Sequence, residues 1–141
     1  MNLILAALDT HTPTVLKRRG LEALFACTAE ACGCPVPPAE DQPYEQHLRA
    51  YARFTSERVG AVLRRGEDVE ELKLRLFNSS LALGERWRKR LRVSSTADAL
   101  RAARVLYRAI GIDFRASPHG EVIIGRCFFS RHYSTDICRV I

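Results

Sequence analysis

Four residues near the C-terminus, Cys127, His132, Asp136 and Cys138, have the types and the closeness in sequence for thiol chemistry. A thiolate beside a helix N-terminus is stabilised, and a neighbouring histidine can act as its base. Cys127 and Cys138 are therefore the candidate catalytic nucleophiles, with His132 as base. Cys138 lies four residues into a helix that Ser134 opens, away from the strong end of its dipole, whereas Cys127 precedes the loop and would face the cap. As a metal site the spacing C-x4-H-x5-C matches no common pattern, and structural zinc takes four ligands. No metal or other cofactor is expected. The competing reading is packing, because reduced cysteine behaves as a small apolar residue. Cys32, Cys34 and the earlier Cys27 form a second thiol group. C-x-C lacks the two-residue gap of zinc knuckles and redox pairs, so a proline-bounded loop with chance cysteines is the plainer account.

Two further groups suit binding. Tyr107, Phe128, Phe129 and Tyr133 would supply apolar walls to a pocket between helices and a hairpin, with Arg126 and Arg131 holding an anionic group at its mouth. The run RWRKRLR places Arg86, Arg88, Lys89, Arg90 and Arg92 around one tryptophan, a composition suited to nucleic-acid phosphates. Trp87 and Leu91, however, fall on an apolar helix line, which makes the charges a cationic last turn. Nucleic acid is thus the second alternative. His119 reads as an exposed turn residue, and His11 and His47 are isolated. There is no G-x-G-x-x-G, P-loop, G-x-S-x-G or H-E-x-x-H motif, and nothing supports nucleotide-dependent chemistry.

The elements that must position these residues are mostly helical. Val15, Leu16, Leu21, Leu24, Phe25 and Thr28 form a stripe over 14–32, with Thr12-Pro13 as cap and first-turn pair and Gly33 as the stop. Pro35, Pro37, Pro38 and Pro43 make 33–43 a linker. Tyr44, Leu48, Tyr51, Thr55, Val59 and Val62 step by three and four to Gly66. Glu67, Asp68, Glu70 and Glu71 then open a third helix whose apolar line is Leu72, Leu76, Leu83, Trp87 and Leu91. Asn78, Ser79, Ser80 and Gly84 are weak helix formers that allow a kink or break among them. Ser95 and Asp98 cap a fourth helix lined by Leu100, Ala103, Leu106, Tyr107 and Ile110, and ended by Gly111. Residues 112–129 read as a hairpin turning at "SPHG", and Ser134 opens a final short helix.

The chain has 141 residues, of which 47% are apolar, enough for the core of one domain spanning 1–141. Its formal charge is +6, nearly all from arginine. Five cysteines, an odd number, with no secretory signal argue against a disulfide framework. The apolar run Leu3 to Leu8 is too short for a membrane span and lacks a basic region before it, so a cytoplasmic protein without membrane contact is expected.

Taken as a unit, "GIDF" with "GEVIIGRCFFSRHYSTDICRVI" resembles small bacterial proteins similar to L-2-amino-thiazoline-4-carboxylic acid hydrolases, with some likeness to 4-vinyl-reductase-type ligand-binding domains. In that pattern a helical N-terminal half leads to a hairpin whose second strand runs into a cysteine. A tyrosine-serine-proline segment then opens a helix carrying a second cysteine. Cys127, Tyr133-Ser134 and Cys138 take these positions, and Thr135 stands where proline is expected. The resemblance covers about the last thirty residues, and such relatives continue into further strands. It implies cleavage of a C–N bond in a cyclic amidine-like substrate.

The expected fold is α+β: four helices, a C-terminal hairpin and the start of a final helix. The expected role is a ligand-binding or regulatory module, with the hydrolase as alternative. A homo-oligomer is expected because the β part looks unfinished and Ile137, Val140 and Ile141 would otherwise be exposed.

Overall fold

The computed structural model describes residues 2–38, 41–117 and 119–141. Its order is α1 (Leu3–Thr10), α2 (Thr14–Cys32), α3 (Tyr44–Arg64), α4 (Val69–Arg90), α5 (Thr96–Ala109), β1 (Ile112–Ala116), β2 (Val122–Cys127), a 3-10 turn (Phe128–Arg131) and α6 (Thr135–Val140). The chain is mainly helical with one antiparallel hairpin near its C-terminus, an α+β arrangement. The described residues hold six helices rather than four and the start of a fifth.

The additional helix is α1. Asn2 caps it by accepting from the Leu5 amide at 3.2 Å, and Leu5 is fully buried. Asn2 also donates to the Leu91 and Arg92 carbonyls at 2.7 and 3.1 Å, so one side chain closes the start of α1 and the end of α4. Leu5, Leu91 and Ala102 form a small apolar cluster, against which Leu8 and Trp87 pack. Arg104 clamps the Asp9 carboxylate, and Arg108 donates to the Asp9 carbonyl at 2.7 Å, tying α1 to α5.

The main core joins α2 and α3. Leu21, Phe25 and Ala29 meet Leu48, Tyr51, Ala52 and Phe54, and Phe129 from the 3-10 turn completes the set. Val15, placed on this stripe by its spacing, is exposed instead. Pro13 is the residue before α2 rather than its first turn, and Thr12 donates back to Leu8. Gly33 ends α2 at φ 66°, in the left-handed region where glycine is cheapest. Of the linker 33–43, Ala39 and Glu40 lie outside the described residues; Arg18 ties its far end to α2 through the Gln42 carbonyl at 2.7 Å.

No break interrupts α4 between Asn78 and Gly84. The Ser79 and Ser80 hydroxyls donate back to the Leu76 and Phe77 carbonyls at 3.0 and 2.9 Å, which satisfies them inside an unbroken helix. Arg75 reaches across to the Ala31 carbonyl at 3.0 Å and the Cys27 thiol to the Ser79 carbonyl at 3.3 Å, holding α4 against α2.

Ser95 caps α5 as expected, accepting from the Asp98 amide. Ser134 caps α6 in the same way. Ile137 and Val140 are both buried, with Cys32, Val59, Val62 and Leu72, in the cleft between α3 and α4. Their exposure was half of the argument for an oligomer, and the chain removes it by folding its own tail inward. Ile141 alone of the three stays exposed. In the hairpin Ile112 pairs with Cys127 and Ala116 with Val122, with a register shift between Asp113 and Phe114. β1 packs on α5 through Phe114, whereas Val122, Ile123 and Ile124 of β2 are exposed. His119 is exposed at the hairpin tip; Pro118 of the same turn lies outside the described residues.

Candidate functional site

The thiol group at the C-terminus does not assemble a nucleophile and base. Cys127 is half-buried at the end of β2 and Cys138 is exposed on α6. His132 is exposed, and its ring lies over Phe128 with centroids 4.8 Å apart; among the described residues it makes no hydrogen bond to either thiol. Burial pushes the Tyr133 phenol well above its ordinary pKa, and the charges of the Cys127 and Cys138 thiolates add to the rise. Cys27 and Cys32 stand in the same relation to Tyr51, whose hydroxyl meets that of Thr28 at 3.1 Å. Burial also raises the pKa of Cys27 and Cys32. All five cysteines are free, and among the described residues no three of histidine, cysteine, aspartate and glutamate converge as a metal would require.

The aromatic walls expected of a pocket are core instead. Phe129 is buried edge-on to Tyr51 at 5.9 Å, Tyr133 stacks on it at 5.2 Å, and Phe128 stands edge-on to it at 5.4 Å. The 3-10 turn after β2 is the cause, since it swings these rings back onto α2 and α3 and away from the hairpin. Tyr107 packs edge-on against Phe114 at 5.5 Å with half of its surface exposed. Arg131 is exposed on the turn. None of these five lines a cavity together with Arg126.

Arg126 itself does line one. An open groove of about 800 Å³ runs between the end of α5 and the hairpin, bounded by Arg108, Gly111, Ile112, Asp113, Arg115, Ile123, Gly125 and Arg126. Gly111, at φ 79°, turns the chain from α5 into β1. A Cβ there would come within 2.7 Å of the Phe128 Cβ, so the turn admits only glycine without movement. The same residue accepts from the Phe128 amide at 3.0 Å, joining the floor of the groove to the 3-10 turn. The register sets Asp113 opposite Arg126 and Arg115 opposite Ile123, leaving Gly125 as the extra residue at the bulge. Bulges re-aim neighbouring side chains and recur beside binding sites.

Arg108 is shared: it faces the groove and also pairs with the Asp9 carboxylate at 3.3 Å. Arg115 and Arg126 have no carboxylate partner among the described residues. With Arg108, Arg115 and Arg126 against Asp113 in its lining, and Ile112 and Ile123 beside them, the groove has a composition suited to an anion with an apolar body. Arg115 gave no sequence signal of this role, because a strand residue's neighbours depend on a register that the bulge shifts, and Arg108, in the last turn of α5, read only as a basic helix end.

The basic run ends α4. Arg86, Arg88, Lys89, Arg90 and Arg92 are all exposed, Arg88 pairs with Glu85 at 3.1 Å, and Trp87 packs inward on the Leu5 cluster. The tryptophan is thus occupied by the core rather than presented for stacking on a base. No described helix is long and apolar enough to cross a membrane.

Comparison with protein-family models, with curated proteins and with solved structures finds no match for this chain.

Proposed function

We propose that this protein is a small-molecule-binding module, and that its ligand is a small organic anion seated between α5 and the hairpin. The observation that carries the reading is the convergence of Arg108, Arg115 and Arg126 on one groove, two of them without a carboxylate partner among the described residues. Its volume of about 800 Å³ falls in the range of small-molecule sites. Arginine binds carboxylate and phosphate oxygens through paired N–H donors, which adds direction to charge. Ile112 and Ile123 would cover the apolar body, and Asp113 would disfavour a second anionic group at its own end. The class agrees with the ligand-binding likeness of the C-terminal stretch. The hydrolase alternative would need His132 against Cys127 or Cys138; His132 lies over Phe128, and binding is the reading we adopt.

Calorimetric titration with a panel of aliphatic and aromatic carboxylates and phosphomonoesters tests it. At least one should bind at sub-millimolar concentration, more weakly as salt rises. Arg115→Ala and Arg126→Ala should each cost about 1 kcal/mol, or roughly fivefold in affinity, the modest worth of an exposed charge-assisted contact. Binding that both variants leave unchanged, or a panel with no binder at all, would remove the groove from consideration.

A further inference from the structure

α4 is apolar on two sides. One line faces the body of the protein, through Leu72, Leu76, Trp87 and Leu91. Roughly 120° round the helix lies a second, made by Leu74, Phe77 and Leu81, which are 57%, 61% and 52% exposed. Extended in both directions, the second line reads Glu70, Leu74, Phe77, Leu81, Gly84, Arg88, with steps alternating between four and three. That is the 3.5-residue spacing of a coiled-coil seam, in which two helices share an apolar stripe.

The charges at its ends select a partner and a direction. The first turn of α4 is acidic, with Glu70 and Glu71, and the last is basic, with Arg88, Lys89 and Arg90. A second α4 laid parallel would set glutamate beside glutamate and arginine beside arginine. Laid antiparallel about a two-fold axis near Ser79, it sets Phe77 against Leu81 of the partner copy, Leu74 against Gly84 of the partner copy, and Glu70 against Arg88 of the partner copy. The axis produces each layer twice. Open space surrounds Gly84, where an added Cβ would meet nothing within 4 Å, so the layer leaves room for the leucine opposite. The exposed aliphatics of β2 show no such match. A two-fold pairing about Ile123 or Ile124 sets Glu121 opposite Gly125 or Cys127 and leaves Arg126 without a carboxylate.

We propose that α4 is a homodimerisation surface, pairing antiparallel with α4 of a second copy of this chain through Leu74, Phe77 and Leu81. The apolar layers supply the association. The end pairs set its direction, because Glu70 and Arg88 are exposed and already paired in their own helix, with Lys73 and Glu85 at 3.1 Å each. One helix face is a small contact, so the dimer dissociates on dilution.

Sedimentation velocity over a wide concentration range, at low and at moderate salt, tests the proposal on the full chain. The unmodified protein should pass from monomer to dimer as concentration rises. Phe77→Glu and Leu81→Glu, at exposed positions that leave the core intact, should remain monomeric throughout. Glu70→Arg and Arg88→Glu should each raise the dissociation constant about fivefold or more at low salt, and the double variant carrying both should recover most of the loss. A monomer at every concentration overturns the proposal. So does a dimer indifferent to Phe77→Glu, or a charge-reversed double variant that stays as weak as its parents.

Discussion

At the scale of single residues, Gly111 joins the fold to the candidate site. It has a positive φ, its carbonyl receives the Phe128 amide, and its missing side chain is what lets the Phe128 methylene approach. Gly111→Ala should destabilise the protein by about 2–4 kcal/mol, from left-handed backbone strain and the displaced ring together. Gly20 is the control. It lies within α2 with nothing within 4 Å of an added Cβ, so Gly20→Ala should stabilise by about 0.5–1 kcal/mol. Urea midpoints for the two variants should move in opposite directions. Residue types alone pointed to Gly111 as a helix stop, which it is, and to Arg126 as an anion contact, which lines the groove beside the hairpin. They pointed wrongly to Phe128, Phe129 and Tyr133 as pocket walls. An aromatic at a strand end looks the same in sequence whether the chain runs on past it or folds back in a 3-10 turn.

At the scale of elements, capping and periodicity told most where both were present. α3 follows its apolar steps, whereas α5 buries Ala102 and Val105 rather than the expected line through Leu100, Ala103, Leu106, Tyr107 and Ile110; Ser95 and Ser134 cap the helices they were expected to cap. α1 was missed because its eight residues are too few for a periodic pattern, and what holds it is remote in sequence: Leu91 and Ala102 under Leu5, Arg104 and Arg108 on Asp9. α4 runs unbroken through its weak helix formers, because propensity is a weak force beside the burial of Leu72 and Leu91 at either end of the helix. Since α1 is fastened at so few points, Leu5→Ala should release it without melting the rest. Hydrogen exchange of its amides should quicken by about a hundredfold, as a buried leucine truncation of ~3 kcal/mol implies, while the α3 amides keep their protection. Equal loss of protection in α3 would show that α1 belongs to the cooperative core.

At the scale of the whole molecule, three of the four tyrosines are tied to the interior. Burial pushes the Tyr44 phenol up to about 12 and raises Tyr51 and Tyr133 in the same direction. In the unfolded chain all would ionise near 10. The native state therefore holds more protons than the unfolded state between those values, and stability falls with rising pH. The contribution is complete below about pH 10 and is lost from there upward, to about 12 for Tyr44. Absorbance at about 295 nm should show tyrosine ionisation delayed in the folded protein. Chemical denaturation at stepped pH should show the midpoint steady through neutrality, beginning to fall near pH 9 where the unfolded thiols of Cys27 and Cys32 ionise, and falling further beyond about pH 10. Ionisation of all four phenols as one ordinary group, with the fold intact, would contradict this burial.

The fastening of α1 also bears on the order in which the protein comes into being. Asn2 meets its carbonyl partner 89 residues later in the chain, and Asp9 its arginine 95 residues later. At about 5–20 residues per second, a ribosome needs roughly 5–20 s to make the surface on which α1 settles. Throughout that interval Leu5 and Leu8 travel on the nascent chain without their native cover, while α2 and α3 already have each other. The first helix of this sequence to be synthesised must thus wait for the fifth before it can dock, and translation through Arg104 sets the earliest moment at which it can do so.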